Sequence, residues 1–459
     1  MNLKAEEKRS PMMAQWYACK EKAKDALLLF RLGDFYEAFY EDAALLSRTV
    51  DVTLTQRQGV PMSGVPAHAA EGYIEKLVSE GYLVAIAEQI EDPKMVKGIV
   101  KREVVRIVSP GTLLSSLPDK DNNFFASLAI FNKLYALAFL DLSTGELRVM
   151  EVSDLKEIKD ELFRSSPSEL LISEKDYQTL KAPLSELQKS CHFRITERKN
   201  WEFNPQAAHG KLTAHFQTHN LDGFGLQGMV GAVIAAGALL SYIGDELHLS
   251  TSHIRSITRE ELSTYLSIDQ ATERNLELTR PLHGGGKQFT LLKLLDHTST
   301  PMGARLLKSW LTHPLLSVEE IQKRQEGVEE LLSKKELGAH LKPVRDVERL
   351  MMRVMSKTAN PRDLIALKES LRVGEKIQPV VLGLNRPIFQ TLSLPDCQKI
   401  VKLISSGLTD EPPVKLGEGR VIREGLHKEL DELRELKQNG QSWIAKYQAE
   451  LKEQGRIKN

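Results

Sequence analysis

The sequence predicts a multidomain chain in which two α/β domains precede an all-α domain. Three observations carry this. The chain has 459 residues, and at roughly 100–200 residues per domain that implies two to four units, each able to build its own core. Up to about residue 255, short apolar runs bounded by glycine or proline alternate with segments of helical periodicity, the pattern of mixed α/β layers. Beyond that point apolar residues recur at i, i+3, i+4 and i+7, the stripe of packed helices.

The first α/β unit covers about residues 12–112. Met12 to Lys24 has helical spacing, and Ala26 to Leu32, apolar except at Arg31, reads as a buried strand ended by Gly33. Asp34 then stands where a helix N-cap accepts backbone N–H groups, so a helix is expected from Phe35 to Leu46 with Phe35 and Glu37 in its first turn. Phe35 and Phe39 would share a face as an i,i+4 pair. On pattern alone Phe35, Tyr36 and Phe39 are core residues, and Glu37 complements the helix dipole. Arg57 and Gln58 read as a polar loop. Tyr73, Ile74, Leu77 and Val78 mark a second helix stopped by Gly81, and Tyr82 to Ala87 and Val104 to Val108 read as strands. Ser109-Pro-Gly-Thr112 breaks the chain, and the polar stretch to Asn123 reads as a linker.

The second unit starts near Phe124. Leu134 to Leu142 and Gly145 to Val152 flank Ser143-Thr144 as a hairpin. Helical and strand segments follow to about residue 205, and Gly223-Phe-Gly225 leads into a small-residue helix at 228–243, whose composition implies close packing. From Gln288 to Ser370 the helical stripe is punctuated by Pro301, Pro314, Pro343 and Pro361. Val421 to Lys458 reads as one charged amphipathic helix carrying Leu426, Leu430, Leu433 and Leu436. A helix that runs to the end without a clear cap points to truncation.

Lys+Arg and Asp+Glu each total 62, giving a formal net charge of zero. That argues against coating nucleic acid by bulk charge, which depends on neutralising many phosphates, and leaves room for a local basic patch. Cys19, Cys191 and Cys397 are far apart and form no CxxC pair, so neither a disulfide framework nor a zinc site is expected, and the usage fits a reducing cytosol. The longest apolar run, Met229 to Leu240, is too short for a membrane span, and the N-terminus has no apolar signal core.

No catalytic signature is present. Gly284-Gly-Gly-Lys287 lacks the upstream glycine and the Ser/Thr of a phosphate loop and reads as a turn. Asp141, Glu146 and Glu151 lie along the 134–152 hairpin. A two-metal nuclease needs such carboxylates to converge, whereas solvated strand faces are the plainer expectation. The window from Lys94 to Arg106, with Lys97, Lys101 and Arg102, is locally basic: phosphate contacts or a solvated strand face, both open on sequence alone.

Gly33-Asp-Phe-Tyr-Glu37 resembles the Phe-x-Glu mismatch-reading motif of the MutS family. Pro61-Met-Ser-Gly-Val-Pro-Ala-His68 is similar to the family's Pro-Met-x-Gly-Ile-Pro segment. Glu88 to Pro93 and Arg102 to Thr112 match the end of its first domain, and Asp269 to Leu278 looks like the start of its core domain. Leu295 to Leu307, Asp346 to Leu350 and Gly425 to Leu433, the last like the start of its clamp, follow in family order across essentially the whole chain.

The resemblance implies a mismatch-recognition domain at 1–118, a ribonuclease-H-like connector without nuclease activity at 119–255, a helical core with lever helices at 256–430 and the start of a clamp from 431. It implies that Phe35 enters the minor groove and stacks at a mispaired base while Glu37 contacts that base. Gly33, Asp34, Tyr36, Pro61, Met62, Gly64 and Pro66 are motif positions that hold the pair. Arg57, Gln58, His68, Lys97, Lys101 and Arg102 are candidate DNA-backbone contacts. The implied partners are duplex DNA with mismatches or small loops, a second copy of the chain, and a MutL-like factor on the connector or core. ATP and Mg2+ belong in the family to a domain that would lie beyond Asn459, so no catalytic residue, metal or cofactor is expected within this chain. A cytoplasmic, nucleoid-associated bacterial protein is implied. Family relatives that act in recombination typically lack the Phe-x-Glu domain. A repair scaffold that binds only a protein partner and a structure-specific nuclease are the alternatives.

Overall fold

The computed structural model describes residues 10–91, 98–113, 118–282, 289–414, 417 and 419–453, with the backbone alone at 438, 441–443, 449, 452 and 453. Two compact units divide the chain, Met1–Gln322 and Lys323–Asn459. In the first, helix α1 (Pro11–Ala23) is capped by the Ser10 hydroxyl, which accepts from the Met13 N–H. Strands β1 (Leu27–Leu32) and β2 (Phe35–Phe39), helix α2 (Tyr40–Val50), strands β3 (Thr55–Arg57) and β4 (Val60–Pro66), helix α3 (Ala70–Ser79) and strands β5 (Val84–Gln89) and β6 (Arg102–Val108) follow. They form a six-stranded sheet in the order β3-β4-β2-β1-β5-β6. All neighbours are antiparallel except β1 and β5.

Strand register sorts the side chains by face. Leu28, Phe30, Phe39, Ala85 and Ala87 pack on Trp16 and Cys19 of α1. Leu27, Leu29, Tyr36, Ala38 and Val65 pack on the other side against Leu46 and Val50 of α2 and Ile74 and Leu77 of α3. A strand buried on both faces needs a continuous apolar run, and Leu27-Leu-Leu-Phe30 supplies it.

The second sheet takes β7 (Phe124–Phe131), β8 (Leu134–Asp141), β9 (Glu146–Val152), helix α4 (Leu155–Ser165), β10 (Glu169–Ser173), helix α5 (Glu174–Gln188), β11 (Arg194–Arg198), helices α6 (Pro205–Phe216) and α7 (Val230–Ser241), and β12 (Thr258–Arg259). Its order is β11-β10-β7-β8-β9-β12. The β7-β8-β9 meander is antiparallel, and β10 and β11 continue it in parallel. This is a mixed α/β unit, as the alternation of strand and helix signals predicts. The small residues of α7 do what their composition implies: a Cβ on Gly237 would lie 2.5 Å from that of Ala208 on α6. The apolar cluster under α1 runs on through Phe125, Ala138 and the α7 residues, and the Ile107 N–H donates to the Leu247 carbonyl, so the two sheets share a core.

Short helices α8 (Gln270–Asn275), α9 (Leu291–Leu295) and α10 (Pro301–Thr312) follow, then α11 (Val318–Leu332). The second unit continues with α12 (Glu336–Leu341), α13 (Val347–Met355), α14 (Pro361–Leu382), α15 (Gln398–Gly407), α16 (Lys428–Gln438) and α17 (Gly440–Glu453). Asn360 and Asp363 cap α14 reciprocally, with Pro361 in its first turn. The C-terminal segment departs from expectation. In place of one helix from Val421 there are two, because Gly425 sits at φ 85° before the first and Gly440 opens the second. Gly284 to Lys287 lie outside the described residues, as does Lys97.

Candidate nucleic-acid interface

The segment after Gly33 is a strand, not the helix expected from Asp34. Gly33 adopts φ 59°, and Leu32 pairs directly with Phe35, so Gly33-Asp34 is a two-residue reversal joining β1 to β2. Such a turn needs a positive φ, which glycine adopts without steric cost. Asp34 caps nothing there; its carbonyl accepts from the Ala67 N–H at 2.8 Å. The helix starts only at Tyr40. Phe35 and Phe39 do share a face, through the two-residue period of a strand, and Glu37 lies between them.

Phe39 is buried under α1, but the same face emerges from cover toward Gly33. There Phe35 is 47% exposed, contrary to its expected place in the core. It sits between Leu32 of β1 and Pro66 of β4. Glu37 pairs with Gly64 across the ladder. A Cβ on Gly64 would stand 3.1 Å from the Tyr36 carbonyl oxygen and 3.5 Å from Glu37 Cγ, so only glycine leaves that space open. Pro61 and Pro66 lie near the ends of β4, and Met62 packs on the α1 core beside Phe39.

Arg57 is the last residue of β3, not part of an irregular loop. Gln58 and Gly59, at φ 52° and 82°, turn the chain tightly into β4. From that hairpin the Arg57 guanidinium spans β4 and donates to Glu37 Oε2 at 3.1 Å. Burial pushes the Glu37 carboxyl above its ordinary value, and the Arg57 charge opposes that rise. On the opposite face Tyr36 is buried, donates its hydroxyl to Glu88 and lies under the Arg31 guanidinium, 5.3 Å from the ring centroid. Burial and the Glu88 bond push its phenol up to about 12.

The other candidates divide. His68 is exposed in the single 3-10 turn after Pro66, at the same end of the sheet as Phe35. Lys101 is exposed but bridges Glu103 at 2.9 Å, beside β6 at the sheet edge opposite Arg57. Arg102 is no surface contact. It is buried, donates to the Arg31 and Val100 carbonyls at 2.6 and 2.8 Å, and stacks on Phe30. Its planar fork satisfies carbonyls that the end of the sheet would otherwise leave unpaired.

Of the hairpin carboxylates, Glu146 is exposed as a solvated strand face predicts, but Asp141 and Glu151 are held within the protein. Asp141 is fully buried and accepts from Asn122, the Asn123 N–H and Ser143. Glu151 accepts from the Ala232 N–H in the first turn of α7. Among the described residues no group of three His, Cys, Asp or Glu side chains could hold a metal ion. None of the helices is long and apolar enough to cross a membrane among those residues.

An exposed aromatic and a half-buried carboxylate thus meet at the uncovered end of the first sheet, on a chain whose two sheets precede a helical region. Sequence models of MutS domain I, MutS domain II and MutS domain III match residues 10–116, 123–255 and 271–456 in turn. The chain belongs to the MutS family. Among its relatives, the DNA mismatch repair protein MutS of Protochlamydia amoebophila is 48% identical over 99% of this chain and 54% of that protein. The proteins of the same description from Chlamydia muridarum and Lachnoclostridium phytofermentans are 42% and 39% identical, each over 98% of this chain and 56% and 50% of their own lengths. The chain therefore spans about half the length of the curated relatives it matches.

Proposed function

We propose that this chain recognises mispaired or looped duplex DNA, with Phe35 as an aromatic wedge and Glu37 as the group that contacts the mispaired base. The observation that carries the reading is the exposure of Phe35 beside Glu37 on a sheet face otherwise covered by α1. A wedge between base steps costs a few kcal/mol of unstacking. That cost is lowest where pairing is already defective, and a weakened step also bends more easily. One side chain can therefore report instability rather than sequence. Glu37 is already pushed toward its protonated form by burial, and phosphates would push it further. It can accept from a base N–H, or take a proton and donate to a base acceptor.

In this reading residues 1–118 read the DNA, 119–255 connect, 256–430 form the core with its levers, and 431 onward starts a clamp. Arg57, Gln58 and His68 are the backbone contacts at the Phe35 end of the sheet, and Lys101 is one at the far edge. A second copy of the chain and a MutL-like factor are the further partners of this reading, and coupling to ATP and Mg2+ is expected of the full-length family rather than of these residues. No residue here is assigned a catalytic role. The site of action is the nucleoid.

The test is fluorescence anisotropy at low salt on a duplex with one G·T mispair and on its matched counterpart, with Phe35→Ala alongside. Tighter binding of the mispair that Phe35→Ala erases supports the wedge. Equal binding with and without Phe35 overturns it and favours a scaffold that binds only protein.

A further inference from the structure

Glu37 does not stand free beside Phe35. Its carboxylate is held by Arg57, which reaches it from β3 across the width of β4 at 3.1 Å. Only 15% of the Glu37 side chain is exposed against 50% for Arg57, so the carboxylate is fixed in the sheet while the guanidinium can swing to solvent. The neighbours do not share that role. β1 faces Glu37 with Phe30 and β4 faces it with Gly64. Arg102 lies over Phe30 with its N–H groups on the Arg31 and Val100 carbonyls. Asp34 and His68 stand in the exposed turns at the Phe35 end.

Resting on the reading of Phe35 and Glu37 as the mismatch-reading pair, we propose that Arg57 is a positioning residue that sets the hydrogen-bonding state of Glu37. In the free protein it holds the side chain as an ionised acceptor. When a duplex enters, its guanidinium is shared between Glu37 and a phosphate, and Glu37 takes a proton and donates only as that share passes to the phosphate. A phosphate competes well for a guanidinium, since both partners form charge-assisted bonds. The released carboxylate is left beside Phe35 and close to phosphates, where its charged form is disfavoured. Arg57 thus restrains mismatch reading at neutral pH while adding to general DNA affinity.

The two effects have opposite signs, and that makes the role testable. A simple phosphate contact, when removed, weakens mispaired and matched duplex alike. Removing a restraint on Glu37 weakens both but widens the ratio between them. With the whole chain, anisotropy on the G·T and matched duplexes is followed from about pH 5 to about pH 8.5, a span that covers a raised carboxyl. The native preference for the mispair should decline as pH rises. Arg57→Gln should move the midpoint of that decline up by about one unit, which is about tenfold in preference within the window. Arg57→Lys, which keeps the charge, should restore the native profile. In a Glu37→Gln background Arg57→Gln should leave the preference unchanged. A preference that Arg57→Gln leaves at its native midpoint, or shifts equally in the Glu37→Gln background, overturns the proposal while the wedge reading stands. A native chain that never prefers the mispair overturns both.

Discussion

At the scale of single residues, the first sheet separates groups that hold the fold from groups it leaves available. Phe35 is 47% exposed, so Phe35→Ala should change stability by no more than about 0.5 kcal/mol, the usual range for surface sites, while erasing mismatch preference. Tyr36, one residue on, behaves oppositely because the strand points it into the core. Its phenol is raised from 10 to about 12 by burial and by the Glu88 bond. The folded form therefore keeps the proton where the unfolded chain has lost it. Stability is full below pH 10 and declines as pH rises toward 12. Thermal melts over that range should show the decline, and Tyr36→Phe should flatten it. The same substitution should cost about 1 kcal/mol at neutral pH through the lost hydrogen bond to Glu88. The motif at 33–37 was legible in the sequence, but which aromatic faces solvent was not. That depends on whether the segment has a period of two or of 3.6, and five residues rich in aromatics do not decide it.

At the scale of elements, long or strongly marked segments were legible: α1, β1, β5, the β8-β9 hairpin and α7 all lie where the periodicity put them. β2 was misread because Asp34 is a good cap and the register with β1 is a tertiary fact. β4 escaped because an interior strand holding Pro61 and Pro66 contradicts the usual confinement of proline to edges. The Arg57–Glu37 pair follows from the β3-β4 register, and the Gln58-Gly59 turn was its one local signal. Buried polar joints are equally invisible to periodicity. Glu161 of α4 is fully buried and lies 3.3 Å from Arg148 of β9, 3.4 Å from Arg164 and 3.3 Å from His313 beyond α10. Burial raises its carboxyl, but the His313 hydrogen bond and the Arg148 and Arg164 charges outweigh that and hold it below the ordinary 4.5. Its contribution is thus complete above pH 4.5 and is lost as the pH falls below it. Glu161→Gln should destabilise the chain by about 3 kcal/mol, because it leaves buried guanidinium charge without its partner. It should also remove part of the acid dependence of urea unfolding. A substitution that left both unchanged would show that Arg148 is satisfied by Glu260 alone, to which it also donates.

At the scale of the whole molecule, a formal charge of zero limits how the chain can hold DNA. Affinity driven by phosphate neutralisation falls with salt at about 0.9 logarithmic units per contact. Many cations here are engaged within the protein: Lys24 on Glu246, Arg106 on Glu71, Lys199 on Glu174 and Lys211 on Asp245. Among the described residues, Arg57, His68 and Lys101 are the candidate contacts of the first sheet. With these three as the contacts, the expected plot of log affinity against log salt on matched duplex has a slope of about −3, and Arg57→Gln should make it shallower by about one. Because the wedge contributes through stacking and bending rather than counterion release, the mispaired duplex should give the same slope, displaced to higher affinity. Anisotropy at a series of salt concentrations measures both lines. Parallel lines place discrimination in Phe35 and Glu37. Lines that converge at high salt would mean that the preference itself is electrostatic, and that a basic surface rather than the exposed aromatic distinguishes the two duplexes.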